Sequence, residues 1–169
     1  MLLIDLTSSA VLPISRVFLG VGFRKRMNSQ PKRMEVTLES MMDSVELAED
    51  ITVRVAEAAG FDEEERHRIG MAVREGVINA VTYGNHQNRD KKVFFTIELD
   101  NGRMAIRILD QGDGFTLADV PDPLAEENLL KSSGRGILLM KAFMDEFSVV
   151  AGRTGGAELI LIKKLPVAN

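Results

Sequence analysis

The chain of 169 residues has no cysteine, no tryptophan, one tyrosine and two histidines. Without a thiol there is no disulfide, no thiolate nucleophile and no cysteine-bound zinc. His67 and His86 stand far apart and neither lies in an HExxH-type spacing, so zinc catalysis has no ligand set to rest on. A reducing compartment fits this composition, and the cytoplasm is the expected location. Positive charge is not in excess either, since 21 Lys and Arg face 25 Asp and Glu, for a net charge of −4. The molecule as a whole thus lacks the electrostatic footprint that a phosphate backbone favours, and direct nucleic-acid binding is not expected. The apolar run from Ala10 to Phe23 is broken by Arg16 and followed by Arg24, Lys25 and Arg26, so it is too short and too charged to span a bilayer. It is not expected to be a secretory leader, whose basic residues would precede the run; here they follow it and Asp5 precedes it.

What is present is the composition of a soluble globular domain, 45% apolar and 27% charged, in a chain long enough for one core. Residues 1–33 are read as a poorly ordered N-terminal extension, with a peripheral membrane anchor as the alternative, and residues 34–169 as the domain. From Met34, Val36 and Leu38 alternate with Glu35, Thr37 and Glu39, which predicts a half-buried strand. Met41, Val45, Ala48, Thr52, Val55 and Ala59 then recur at helical spacing, and Gly60 closes the pattern. Asp62 with Glu65 predicts a capping box that opens a second helix, running to about Tyr83 before Gly84 and burying Ile69, Val73, Val77 and Ala80. Val93, Phe95, Ile97 and Leu99, an Asn101-Gly102 turn, and Met104, Ile106 and Ile108 form a hairpin pattern. After a loop containing Pro121 and Pro123, a helix is predicted from near Gly136, then a strand over 147–151, a turn at 154–156 and a last strand over 158–163. This order predicts an α+β fold, a two-layer α/β sandwich whose mostly antiparallel mixed sheet is covered on one face by helices.

Three segments carry polar groups in positions that chemistry could use. Glu75 and Asn79 are four residues apart, so they emerge on one helix face one turn apart; there they are either an ion or proton site, or two ordinary solvated side chains. Asp110 falls where a buried strand ends, and Gly112 and Gly114 follow it; the carboxylate could accept a hydrogen bond from an exocyclic amine, or the segment could be a glycine-rich turn shaped by Asp113. Ser132-Ser133-Gly134-Arg135-Gly136 runs into an apolar helix, whose unpaired amides suit phosphate, with Lys131 or Arg135 adding charge; the alternative is a flexible helix start. Each signal alone is weak. In this order they supply the different parts of one Mg-nucleotide site.

The chain resembles the GHKL superfamily, the nucleotide-binding fold of gyrase, histidine kinases and MutL. Glu75-Gly76-Val77-Ile78-Asn79-Ala80 resembles its asparagine box, Asp110-Gln111-Gly112-Asp113-Gly114 its first glycine box, and Gly134-Arg135-Gly136 its second. Within the superfamily the chain most resembles the anti-sigma-factor serine/threonine kinases of bacterial partner-switching systems. The resemblance implies a histidine-kinase-like ATPase fold, ATP and Mg²⁺ as cofactors, Glu75 as the base acting on a substrate hydroxyl, Asn79 as the Mg²⁺ ligand and Asp110 as the adenine contact. It further implies that Gly112, Gly114, Gly134 and Gly136 line the nucleotide, with Lys131, Ser133 and Arg135 beside the phosphates. The implied partners are a STAS-type anti-anti-sigma protein as substrate, a sigma factor, and a second copy in a homodimer. Two positions depart from the family pattern: Gly156-Ala157 replaces a common Gly-Thr pair, and Tyr83 stands where histidine is frequent. Two other functions compete, a non-catalytic ATP-binding partner switch and a detached histidine-kinase catalytic domain.

Overall fold

The computed structural model describes residues 32–114, 135–152 and 155–167. Of the expected extension, residues 1–33, all but Lys32 and Arg33 lie outside the described residues, and those two open the first strand; the loop with Lys131, Ser133 and Gly134 also lies outside them. Five strands and three helices follow in the order β1 (Lys32–Glu39), α1 (Asp43–Ala58), α2 (Glu63–Asn79), β2 (Lys92–Asp100), β3 (Arg103–Leu109), α3 (Arg135–Phe143), β4 (Glu146–Ala151) and β5 (Ala157–Lys164). The strands form one sheet in the order β1-β2-β3-β5-β4. Every pairing in it is antiparallel, so the mixed character expected from sequence is not seen among the described residues.

Period-two alternation puts one residue set of each strand under the helices: Leu38 on β1, Phe95 and Ile97 on β2, Ile106 and Ile108 on β3, and Leu161 on β5 are all buried. The predicted helical stripe of α2 arrives as expected, with Ile69, Val73, Val77 and Ala80 in the same core. Each of the buried Val, Leu, Ile and Phe side chains contributes roughly 1.5–3 kcal/mol by leaving water. Asn101 (φ 49°) and Gly102 (φ 75°) both adopt the left-handed conformation that a tight hairpin with the twist of its strands requires.

The helix ends follow their local chemistry. Gly60 (φ 92°) terminates α1, and the Phe61 N–H closes back on the Ala56 carbonyl at 3.1 Å. Asp62 caps α2 by accepting from the Glu65 N–H at 2.8 Å. The reciprocal half of the box is not made, because the Glu65 carboxylate is drawn instead to Lys163 at 2.6 Å. At its other end α2 keeps α geometry only to Asn79, and Ala80–Gly84 form a π-helical turn closed by the Asn85 N–H on the Ala80 carbonyl at 2.8 Å. Sequence periodicity ran one continuous helix to Tyr83; the wider turn is tertiary in origin, as the contacts of Gly84 and Asn85 below make clear.

Candidate functional site

α2 crosses the sheet at close range because position 76 has no side chain. A Cβ there would lie 2.6 Å from Leu159 Cδ2 and 2.7 Å from Ile108 Cδ1. Gly76 therefore seats α2 directly on β3 and β5, with Glu75 and Asn79 on either side of it along the helix. Both side chains are half-buried. Asn79 lines a pocket whose walls are largely apolar, with Ile108, Ile137, Met140 and Leu159 among them, and with Asp110 at its polar end. Arg74, the neighbour of Glu75, turns away and donates to Glu49 on α1 at 2.9 Å. That hydrogen bond, ahead of the charges around it, holds the Arg74 guanidinium above its ordinary pKa.

Asp110 follows β3 immediately and is 4% exposed. A buried carboxylate needs donors, and two main-chain groups supply them: Oδ1 accepts from the Gly112 N–H at 2.8 Å and from the Ala157 N–H at 3.1 Å. The Asp110 N–H in turn donates to the Ala157 carbonyl at 3.1 Å. Among the described residues both donors to this carboxylate go to Oδ1, so one edge of the group is fixed and Oδ2 has acceptor capacity to spare. The approach depends on glycine. A methyl group on Gly84 would overlap the Asp110 carboxyl carbon, and one on Gly112 would overlap the Gly84 carbonyl. Gly156, at φ 78°, sits with its Cα face against the Asp110 carbonyl. Gly114 (φ 82°) is next in line, and a Cβ there would lie 3.0 Å from the Gly156 carbonyl.

The third segment enters through α3. Gly136 is buried in the first turn of that helix, and a Cβ on it would lie 2.5 Å from Glu75 Oε2. The carboxylate of α2 thus abuts the helix that Arg135 opens, and Arg135 itself is exposed. Glu75, Asn79, Asp110, Gly112, Gly114 and Gly136 are brought into one region between α2, α3 and the ends of β3 and β5. Lys131, Ser133 and Gly134 lie outside the described residues.

Two residues of this region, Gly84 and Asn85, carry no functional signal in the sequence, and Gly156 and Ala157 stand out there only as a departure from the family's Gly-Thr pair. Gly84 reads there as a helix stop. Asn85 is fully buried, with Nδ2 donating to the Lys92 carbonyl at 2.9 Å and Oδ1 accepting from the Gln111 N–H at 2.8 Å. The adjacency of a Gly-Asn pair to the Glu75–Asn79 helix was the one available hint.

Residues 38–163 match the model of the histidine kinase-like ATPase domain family. The chain is 32% identical over 108 residues to proteins named anti-sigma F factor from Bacillus thuringiensis (strain Al Hakam) and Bacillus mycoides (strain KBAB4), an overlap covering 63% of this chain and 74% of theirs. In fold it is similar to a crystal structure of the RsbU and RsbW domains of a Mycobacterium tuberculosis protein, with a TM-score of 0.57 and 19% identity over 81% of this chain and 33% of that one. The pocket between α2, α3 and the Asp110 turn lies wholly within the matched span, and the chain belongs to the histidine kinase-like ATPase domain family, in the group that holds the anti-sigma F factors.

Proposed function

We propose that this chain is an ATP-dependent serine/threonine kinase that phosphorylates a STAS-type anti-anti-sigma protein and sequesters a sigma factor. The observation that carries the catalytic part is the meeting of Glu75 with Gly136, which puts an acceptor carboxylate at the start of α3, where a helix N-terminus favours phosphate. The regulatory part draws on the anti-sigma F factors to which the chain is similar.

The residues fit Mg-ATP. An apolar slot ending in a buried carboxylate with a spare oxygen suits a nucleobase that presents an amine. Mg²⁺ takes most of its oxygens from phosphates and water and needs one or two from protein, and Asn79 offers an amide oxygen from the pocket wall. When bound, Mg-ATP supplies the phosphoryl group and the metal charge that neutralises it. Asp110 holds the base by its amine. Gly112, Gly114 and Gly136 would let main chain approach the nucleotide and Arg135 would add charge near its phosphates; the resemblance assigns Lys131, Ser133 and Gly134 to the same end, and these lie outside the described residues. Glu75 takes the proton of the attacking serine or threonine hydroxyl. Positioning and charge neutralisation dominate phosphoryl transfer, so this sparse set suffices. Family resemblance is what supports a cytoplasmic homodimer in this reading. No helix among the described residues is long and apolar enough to cross a membrane.

Incubation with labelled ATP and candidate STAS proteins tests the reading. The expected product is acid-stable phosphoserine or phosphothreonine. Glu75→Gln retains ATP binding and loses transfer by about 100-fold or more, the scale of a general base; Asn79→Ala weakens Mg-ATP binding as well. Tight ATP binding with no transfer to any STAS partner would overturn the kinase and leave a binding switch, and acid-labile phosphohistidine would point to a detached histidine-kinase domain.

A further inference from the structure

We propose that Asn85 is a positioning residue for nucleobase recognition: it fixes the main chain of the Asp110 turn so that the free edge of that carboxylate is held ready for an exocyclic amine. The inference rests on the ATP-binding reading above and extends it to a residue that touches no ligand.

Asn85 is 0% exposed and stands where three segments converge. Its N–H closes the π-helical turn on the Ala80 carbonyl, its Nδ2 holds the Lys92 carbonyl at the start of β2, and its Oδ1 receives the Gln111 N–H from the turn after β3. A second bond runs parallel to these, from the Lys92 N–H to Gln111 Oε1 at 2.6 Å. Gln111 lies between Asp110 and Gly112, and Gly112 donates to Asp110 Oδ1. The orientation of the carboxylate is therefore set in two steps, Asn85 on Gln111 and the Gly112 N–H on Asp110.

The local backbone serves this placement. Continued α geometry would rotate residues 84 and 85 away from their present directions. The π-helical turn carries one extra residue, so the side-chain-free Gly84 meets Asp110 while Asn85 points inward. The chain leaves through His86 (φ 54°) and Gln87 (φ 55°), two consecutive left-handed residues with side chains, a conformation that costs free energy and is kept here beside a satisfied buried amide. A residue that merely filled space would need neither the polarity of Asn85 nor its pairing with two main-chain groups, one at the start of β2 and one in the turn after β3.

Removing the side chain frees the Gln111 N–H, and the Gly112 donor moves with it. The apolar walls and the phosphate end stay as they are. The loss falls on the amine contact, because a pre-organised acceptor becomes a mobile one.

The test compares the binding of ATP and purine riboside triphosphate, which lacks the exocyclic amine, to the full chain by calorimetry. Wild type is expected to prefer ATP by about tenfold or more, because a site built for a hydrogen bond rejects a ligand lacking it. In Asn85→Ala, or the milder Asn85→Ser, the preference falls by at least about threefold while affinity for the purine analogue stays within about twofold. Equal weakening toward both ligands, or an unchanged ratio, would assign Asn85 a purely structural role and overturn the inference alone. Wild type binding neither nucleotide would bring down the ATP reading and this inference together. A measurement on wild type covers the case in which the variants do not fold: the Gln111 amide, on an exposed residue, exchanges with solvent at least about tenfold more slowly than an unbonded loop amide. Exchange at the unprotected rate removes the Asn85 clamp and with it the proposal.

Discussion

Asp110 illustrates how much of a site can depend on residues that have nothing to bind with. Its carboxylate is crowded by Gly84, Gly112 and Gly156, and each close approach is main chain against the acid. Gly84→Ala must move Asp110 or the π-helical turn, at a cost of about 1–3 kcal/mol, and is expected to weaken ATP binding by about tenfold or more, read by calorimetry beside a thermal melt. Glu39 gives a second prediction at this scale. Its carboxyl is held below its ordinary pKa of 4.5 by the hydrogen bond from Lys92 Nζ at 2.5 Å. A depressed carboxyl stabilises the fold above its unfolded pKa, and that contribution is lost as pH falls through the lower folded value. Glu39→Gln should therefore lower stability slightly at neutral pH and flatten the acid limb below about pH 4.5, so that variant and wild type converge in acid, as urea midpoints across that range would show. Glu75, Asn79 and Asp110 were legible in the sequence because helical spacing and a strand-end turn put them in recognisable places. Gly84 and Asn85 were not, since what they do depends on a partner across the sheet.

Among the elements, α2 has the most to hold. It presents Glu75 and Asn79, lies on β3 and β5 through Gly76, and changes geometry where Asn85 must turn inward. Apolar periodicity foretold its existence and its buried stripe, but the α-to-π change left no mark on that periodicity. Lys163 on β5 ties the opposite end of this layer. Sequence alternation makes it the last residue of a strand, yet its side chain is 14% exposed, paired with Glu65 at the start of α2 and donating to the Phe143 carbonyl at the end of α3 at 2.9 Å. A cation is favourable at a helix C-terminus, and this one joins two helices to the sheet. Lys163→Met leaves both acceptors short of a donor and should cost about 1–3 kcal/mol in urea denaturation. Lys163→Arg should recover part of that, since the charge is kept.

For the whole molecule, the one-sided α+β sandwich was readable from the order of patterns, with the Asn101-Gly102 hairpin its clearest piece. The pairing order of the sheet was not, because alternation says which face a residue takes and is silent on which strand lies beside it. That order matters for the site. β5 inserts between β3 and β4, and only then does the Ala157 N–H reach Asp110, 47 residues earlier in the chain. The β1-β2-β3 part of the sheet includes a tight local hairpin, whereas the β3–β5 seam closes a long loop, which is entropically slow. Competence to hold a nucleotide therefore arrives late in folding, with the seam and not with the hairpin. A ligand that grips a late-formed seam stabilises the native state more than the transition state, so saturating ATP should slow unfolding in denaturant jumps and leave the refolding rate nearly unchanged. The same seam that completes the pocket thus makes the lifetime of the folded chain, and not the speed of its birth, the quantity that responds to ATP.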